Sequence, residues 1–184
     1  MNNQFFNTTD IIIGFMFFLL ASSIHYFFVI NYYLKIRKLK LFKSEKYYKN
    51  KKLSLIFNIF INYLSDVLYI SVIIFFTLSI IYINKIYYLS LIFTFMYLIF
   101  SIIAINNIIL IFMYSESVYL IIYENNIVTL NNIITKNNIL KVDNDVKRKK
   151  LQISFLDDNE EVIIKLKYTW KLKDFFTEFI DSHK

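Results

Sequence analysis

Three apolar runs of membrane length, Ile11–Leu34, Leu53–Ile83 and Ile86–Met113, leave this chain few folds to choose from. A helix needs roughly 20 apolar residues to cross a hydrocarbon core, rising about 1.5 Å per residue. Each run exceeds that. The only fully charged side chain inside them is Asp66, and His25 is the one other group that titrates near neutrality. With one Gly (Gly14) and no Pro, little in the runs interrupts a helix, which disfavours broken, transporter-type helices. The expected fold class is membrane α-helical over residues 1–113, with helices at about 11–34, 53–83 and 86–113. A small α+β domain over 114–184 follows.

Orientation comes from the segment between the first two runs. Lys35–Lys52 reads KIRKLKLFKSEKYYKNKK, nine Lys/Arg against one Glu. Its net charge of +8 exceeds the +7 of the whole chain, so everything else sums to −1. Basic residues beside apolar segments stay on the cytoplasmic side. The expected protein is therefore a multi-pass cell-membrane protein with its N-terminus outside and its C-terminus cytoplasmic. Met1–Asp10 has no Lys or Arg and carries Asp10, so it does not read as a cleavable signal. The Asn84-Lys85 link is short enough to force the second and third helices antiparallel.

The second run is longer than a bilayer core requires. Ser54, Asn58, Asn62 and Asp66 recur every fourth residue along it, a polar stripe on one helical face. That pattern suits an entry at the interface, with the span proper nearer Asn62–Ile83. Tyr32, Tyr33, Tyr47, Tyr48 and Tyr63 fit an interfacial aromatic belt. Gly14, Ala21, Ser22 and His25 on the first helix, with Ser90, Thr94 and Ser101 on the third, are the small and polar positions expected to face the bundle interior and hydrogen-bond across it.

After Tyr114 the pattern changes. The last 71 residues hold eleven Lys/Arg and eleven Asp/Glu. Val118–Tyr123, Ile127–Leu130, Ile133–Lys136 and Ile139–Val142 read as short strands, with Glu124-Asn125-Asn126 and Asp143-Asn144-Asp145 as turns. Leu151, Ile153 and Phe155 alternate with Gln152 and Ser154; Val162, Ile164, Leu166 and Tyr168 alternate with Lys165 and Lys167. These two segments form a hairpin turning at Asp157-Asp158-Asn159. A helix over 170–182 closes the chain, capped by Thr169, with Leu172, Phe175, Phe176, Phe179 and Ile180 on one face. Ile, Asn, Lys, Phe and Tyr are favoured by AT-rich codons, so the repeated Asn pairs need no functional reason.

The order ENNIVTLNNIITKNNILKVD, then KKLQISFLDDNEEVIIKLKY and a closing helix, resembles the C-terminal PH-like domains of small bacterial membrane proteins. The resemblance spans Val118 to Ile180. Lys136-Asn137-Asn138-Ile139 stands where that pattern has a W-x-x-I segment, without its Trp. The resemblance implies a scaffold or binding module with no catalytic residues, and carries no phosphoinositide specificity.

Two sets of residues are candidates for function. Lys35, Arg37, Lys38, Lys40, Lys43, Lys46, Lys49, Lys51 and Lys52 form an anionic-lipid surface, each contributing about 1 kcal/mol near a charged bilayer. Lys147-Arg148-Lys149-Lys150 is a weaker one. His25 and Asp66 are the intramembrane polar pair, since ionisable groups in lipid are expensive and face partners or cavities. His25 lies about 15 Å of helix from Lys35 and Asp66 about one turn inside the boundary. They pair, as a proton-responsive switch, only if the second helix sits deeper. The plain alternative has His25 bonded to a neighbouring Ser or carbonyl and Asp66 reaching the headgroups.

Catalytic and cofactor signals are absent. There is no Cys, His183 is terminal, and a single Gly cannot build a phosphate loop. No cofactor or metal is expected. Nucleic acid is not expected either, because the basicity belongs to the membrane-flanking segment. The expected function is a non-enzymatic interaction or regulatory module at the cytoplasmic membrane surface, of use in immunity or stress protection. Its partners would be anionic lipid and a membrane or cytoplasmic protein, with homo-oligomerisation open. The alternative is a holin-like pore or transporter-accessory subunit, and after it an intramembrane enzyme using Asp66.

Overall fold

The computed structural model describes residues 7–42, 46–82, 86, 88–145, 147, 150–157, 160–167 and 169–181. Helix α1 (Thr8–Leu41) opens on a reciprocal cap. The Asn7 side chain accepts the Asp10 N–H at 2.8 Å, and the Asp10 carboxylate accepts the Asn7 N–H at 3.1 Å, which satisfies two donors that a helix start leaves open. The helix runs past its apolar stretch to Leu41 because KIRKLKL is amphipathic: Leu39 is buried while Lys35, Arg37, Lys38 and Lys40 are exposed. Lys38 and Lys40 fall in the last turn, where cations complement the helix dipole.

The second long helix spans Lys51–Ile81 in three parts: α2 (Lys51–Phe57), a π-helix (Asn58–Leu64) and α3 (Ser65–Ile81). Helix α4 (Tyr88–Tyr114) is the third. All three are long and apolar enough to cross a bilayer. The Asn84-Lys85 link lies outside the described residues.

The chain divides into two compact units, one of Met1–Asn31 and Leu55–Phe112, the other of Tyr32–Ser54 and Met113–Lys184. Aromatic rings fill the helical unit. Phe15 stacks on Phe76 with centroids 3.8 Å apart, and Phe18 meets Phe100 edge-on at 5.1 Å. Gly14, Ser22, His25 and Ser90 are buried as their spacing predicts. Gly14 permits a close approach, for a Cβ there would lie 3.4 Å from ring carbons of both Phe93 and Tyr97. The hydroxyls differ from expectation. Ser22, Thr94 and Ser101 donate to carbonyls of their own helix, at Leu19, Ser90 and Tyr97, rather than across the bundle.

The second unit holds two antiparallel sheets. β1 (Lys46–Lys49), β2 (Tyr119–Tyr123), β3 (Asn126–Val128) and β4 (Ile133–Thr135) lie in the order β1-β2-β3-β4. β5 (Ile139–Asp145), β6 (Lys150–Asp157) and β7 (Glu160–Lys167) form the other. Helix α5 (Trp170–Asp181) follows, and Thr169 caps it by accepting the Leu172 N–H on Oγ1 at 3.2 Å. The hairpin pairs Leu151, Ile153 and Phe155 with Leu166, Ile164 and Val162. The core joins these residues to Leu120, Ile122, Ile127 and Ile134 of the first sheet and to Leu172 and Phe176 of α5.

Three local expectations give way. Lys35–Lys52 is not one loop: it comprises the end of α1, strand β1 and the first turn of α2. Asp143-Asn144-Asp145 is not a turn but the end of β5, paired with Gln152, Leu151 and Lys150, because the ladder continues while a partner strand remains alongside. In the β2–β3 turn the left-handed residue is Glu124, at φ 52°, not one of the asparagines. Asn126 is already in the ladder opposite Tyr123, which leaves the turn to the two residues before it.

Candidate functional site

The basic segment becomes a site because its centre is a strand. β1 pairs antiparallel with β2, Lys46 opposite Ile122 and Lys49 opposite Tyr119. Strand alternation then sorts the side chains: Tyr47 is 65% exposed while Tyr48 is 7% exposed. Tyr48 packs in the sheet core against Phe175, with ring centroids 6.0 Å apart, and its hydroxyl meets Thr169 Oγ1 at 2.6 Å. Burial pushes the Tyr48 phenol above its ordinary pKa, and the Thr169 contact partly opposes this. Tyr47 stacks on Tyr119 at 6.0 Å; burial, then the neighbouring Tyr47, raises the Tyr119 pKa.

Both ends of the strand are tied down. The Asn50 N–H donates to the Val118 carbonyl at 3.0 Å, and the Asn50 side chain caps α2 by accepting the Leu53 N–H at 3.2 Å. On the other side Lys35 donates to the Asn131 side chain, which donates to Glu116, while Phe42 meets Tyr123 edge-on at 5.7 Å. Eight of the nine predicted basic residues are described, and all eight are exposed: Lys35, Arg37, Lys38 and Lys40 on α1, Lys46 and Lys49 on β1, Lys51 and Lys52 on α2. Lys43 lies outside the described residues, as do Arg148 and Lys149. Lys147 and Lys150 are exposed.

A second polar cluster sits inside the helical unit, around the π-helix. Within it, the Phe60 carbonyl accepts two side-chain hydrogen bonds. Ser65 Oγ donates to it at 2.9 Å and Asn107 Nδ2 at 3.1 Å, with Asn107 Nδ2 also donating to Ser65 Oγ at 2.8 Å. Ser65 and Asn107 are fully buried, and Asn107 Oδ1 has no hydrogen-bond partner. Such π segments occur often at functional sites. The stripe read from the sequence, Ser54, Asn58, Asn62 and Asp66, is exposed or half-buried; the fully buried polar groups of this cluster are Ser65 and Asn107. Asn107 carried no signal in its spacing, since it belongs to an Asn pair in an apolar run.

His25 is fully buried between rings, edge-on to Phe100 at 6.0 Å and to Tyr26 at 5.1 Å. The Ala104 backbone is its polar neighbour, but neither ring nitrogen is in hydrogen-bond geometry. Asp66 is exposed on the helix surface and accepts the Tyr26 hydroxyl at 2.8 Å. The structure thus inserts Tyr26 beside the two residues singled out in the sequence. Asn62 and Asn58 extend the line of polar groups, Asn62 Nδ2 donating to Asn58 Oδ1 at 2.7 Å.

Among the described residues, no group of three His, Asp or Glu is placed to share a metal ion. Fold and composition define a coarse class: three apolar helices of spanning length joined to a small antiparallel-sheet domain with a C-terminal helix. No family model, curated protein or solved structure matches the chain.

Proposed function

We propose that this protein is a multi-pass membrane protein presenting a PH-like interaction domain at the cytoplasmic surface, held to anionic lipid by its basic segment, without catalysis of its own. The observation that carries the reading is the exposure of eight basic side chains on the end of α1, on β1 and on the start of α2. Those elements continue directly from apolar spans, so their charges stay within a few turns of the bilayer surface. There each is worth about 1 kcal/mol, falling off within a Debye length. The filled aromatic interior of the helical unit favours an anchor over a monomeric pore. Immunity or stress protection is a use such a module would serve.

Native mass spectrometry of the full chain, loaded with equal anionic and zwitterionic lipid, tests the reading. Anionic lipid should be retained preferentially, and replacing Arg37, Lys38, Lys40 and Lys52 by Gln should remove the preference. Equal retention of both lipids by the unsubstituted chain would sink it.

A further inference from the structure

Asp66 is the acid in the apolar spans, and its surroundings leave it incompletely served. Tyr26 donates to one carboxylate oxygen at 2.8 Å, and no other hydrogen bond or ion pair reaches Asp66 among the described residues. The residue faces outward, beside exposed Tyr63, Val67 and Ile70 on the same helix.

Two neighbouring helices give its depth. Tyr26 stands eight residues before Leu34, where the apolar part of α1 ends, about 12 Å of helix. Asn107, bonded to Ser65 next to Asp66, stands six residues before Met113, about 9 Å from the end of its apolar run. The carboxylate therefore lies about 10 Å below the basic-side boundary when these runs span. Side chains that reach the interface from such depths are long, Lys and Arg with three or four methylenes; Asp has one. A carboxyl group at this depth is expensive unless paired.

We propose that the outer face of the second long helix around Asp66 is a docking surface for a transmembrane helix of a different protein carrying one Lys or Arg at matching depth. Charge complementarity selects that occupant. A second copy of this chain cannot supply the cation, because Ile11–Leu34, Leu53–Ile83 and Ile86–Met113 contain no Lys or Arg. The contact would form a charge-assisted hydrogen bond to the open carboxylate oxygen. The Tyr26 hydroxyl already fixes the carboxylate's orientation, and exposed Tyr63, Val67 and Ile70 supply the apolar flanks. The surface rests on the proposed spanning of these helices but not on lipid binding by the basic segment.

The test uses the full chain in zwitterionic vesicles, donor-labelled at Lys171→Cys, with acceptor-labelled Leu/Ala peptides of about 23 residues. One peptide carries a single Lys about 10 Å from its cytoplasmic end, one carries Leu there, and one carries the Lys at the opposite end. Energy transfer to the first should show at least tenfold tighter association than to the other two, and Asp66→Asn, which keeps an acceptor for Tyr26, should abolish the difference. Equal association of the Leu peptide, or full retention in Asp66→Asn, overturns the proposal. So does Asp66-dependent self-association of the chain at the same strength, which would make a second copy the occupant.

Discussion

Tyr48 shows what one side chain decides in this chain. A pair of tyrosines among lysines reads as an interfacial belt, and only the strand register separates their fates. Tyr47 stays outside and Tyr48 enters the core. Its hydroxyl contact with Thr169 links β1 to the cap of α5. Tyr48→Phe keeps the ring and removes the contact, so thermal unfolding of the sheet domain should lose about 1 kcal/mol. The pH dependence has a definite sign. A phenol whose folded pKa is raised adds stability that is fully present below its unfolded value of about 10 and is lost as pH rises through the folded value. Melts followed by circular dichroism between pH 8 and 11.5 should therefore show an alkaline loss that Tyr48→Phe reduces. Tyr119, raised in the same direction, keeps the loss from vanishing. An unchanged alkaline limb in the variant would place the titration elsewhere.

At the scale of elements, legibility follows the range of the contacts. The three long helices are set by the length of their apolar runs, and the β6–β7 hairpin and α5 by periodicity, all within one segment, so the sequence displays them. β1 is a four-residue strand whose partner lies beyond two long helices, and its lysines read first as a topology signal. The π-helix is hidden for a different reason. Its stabilising acceptor–donor match, the Phe60 carbonyl with Ser65 and Asn107, joins two helices and leaves no trace in the spacing of either. The consequence for β1 is testable. A fragment of residues 114–184 lacks Tyr48 and leaves the β2 edge bare. Losing a core aromatic costs about 3–5 kcal/mol, comparable to the whole stability of a small domain. The fragment should show little amide protection at Leu120 and Ile122 in hydrogen exchange. Joining residues 46–50 to residues 113–184 through a flexible linker should restore it. Full protection in the bare fragment would mean that β1 is dispensable.

For the whole molecule, the pairing of β1 with β2 constrains how the chain can be threaded. Lys51–Ile81 and Tyr88–Tyr114 lie between those strands in sequence, and both strands must be on one side of any membrane to pair. These two helices therefore both cross or neither does, a constraint that hydropathy alone does not supply. Both are apolar over lengths that favour crossing. On the proposed reading α1 also spans, which makes three crossings and would put the N-terminus on the side opposite the sheet domain. On the same reading, the +8 charge of Lys35–Lys52 is what favours a cytoplasmic sheet domain. The chain contains no Cys, so single-cysteine variants report sidedness without background. In right-side-out vesicles, an impermeant maleimide should label Thr9→Cys directly, and Lys40→Cys and Lys171→Cys only after permeabilisation. Labelling of Lys40→Cys and Lys171→Cys from opposite sides would break the β1–β2 pairing itself. Labelling of both from outside, with Thr9→Cys protected, would keep the fold and reverse the orientation, removing the basic segment from the anionic leaflet on which the lipid reading depends.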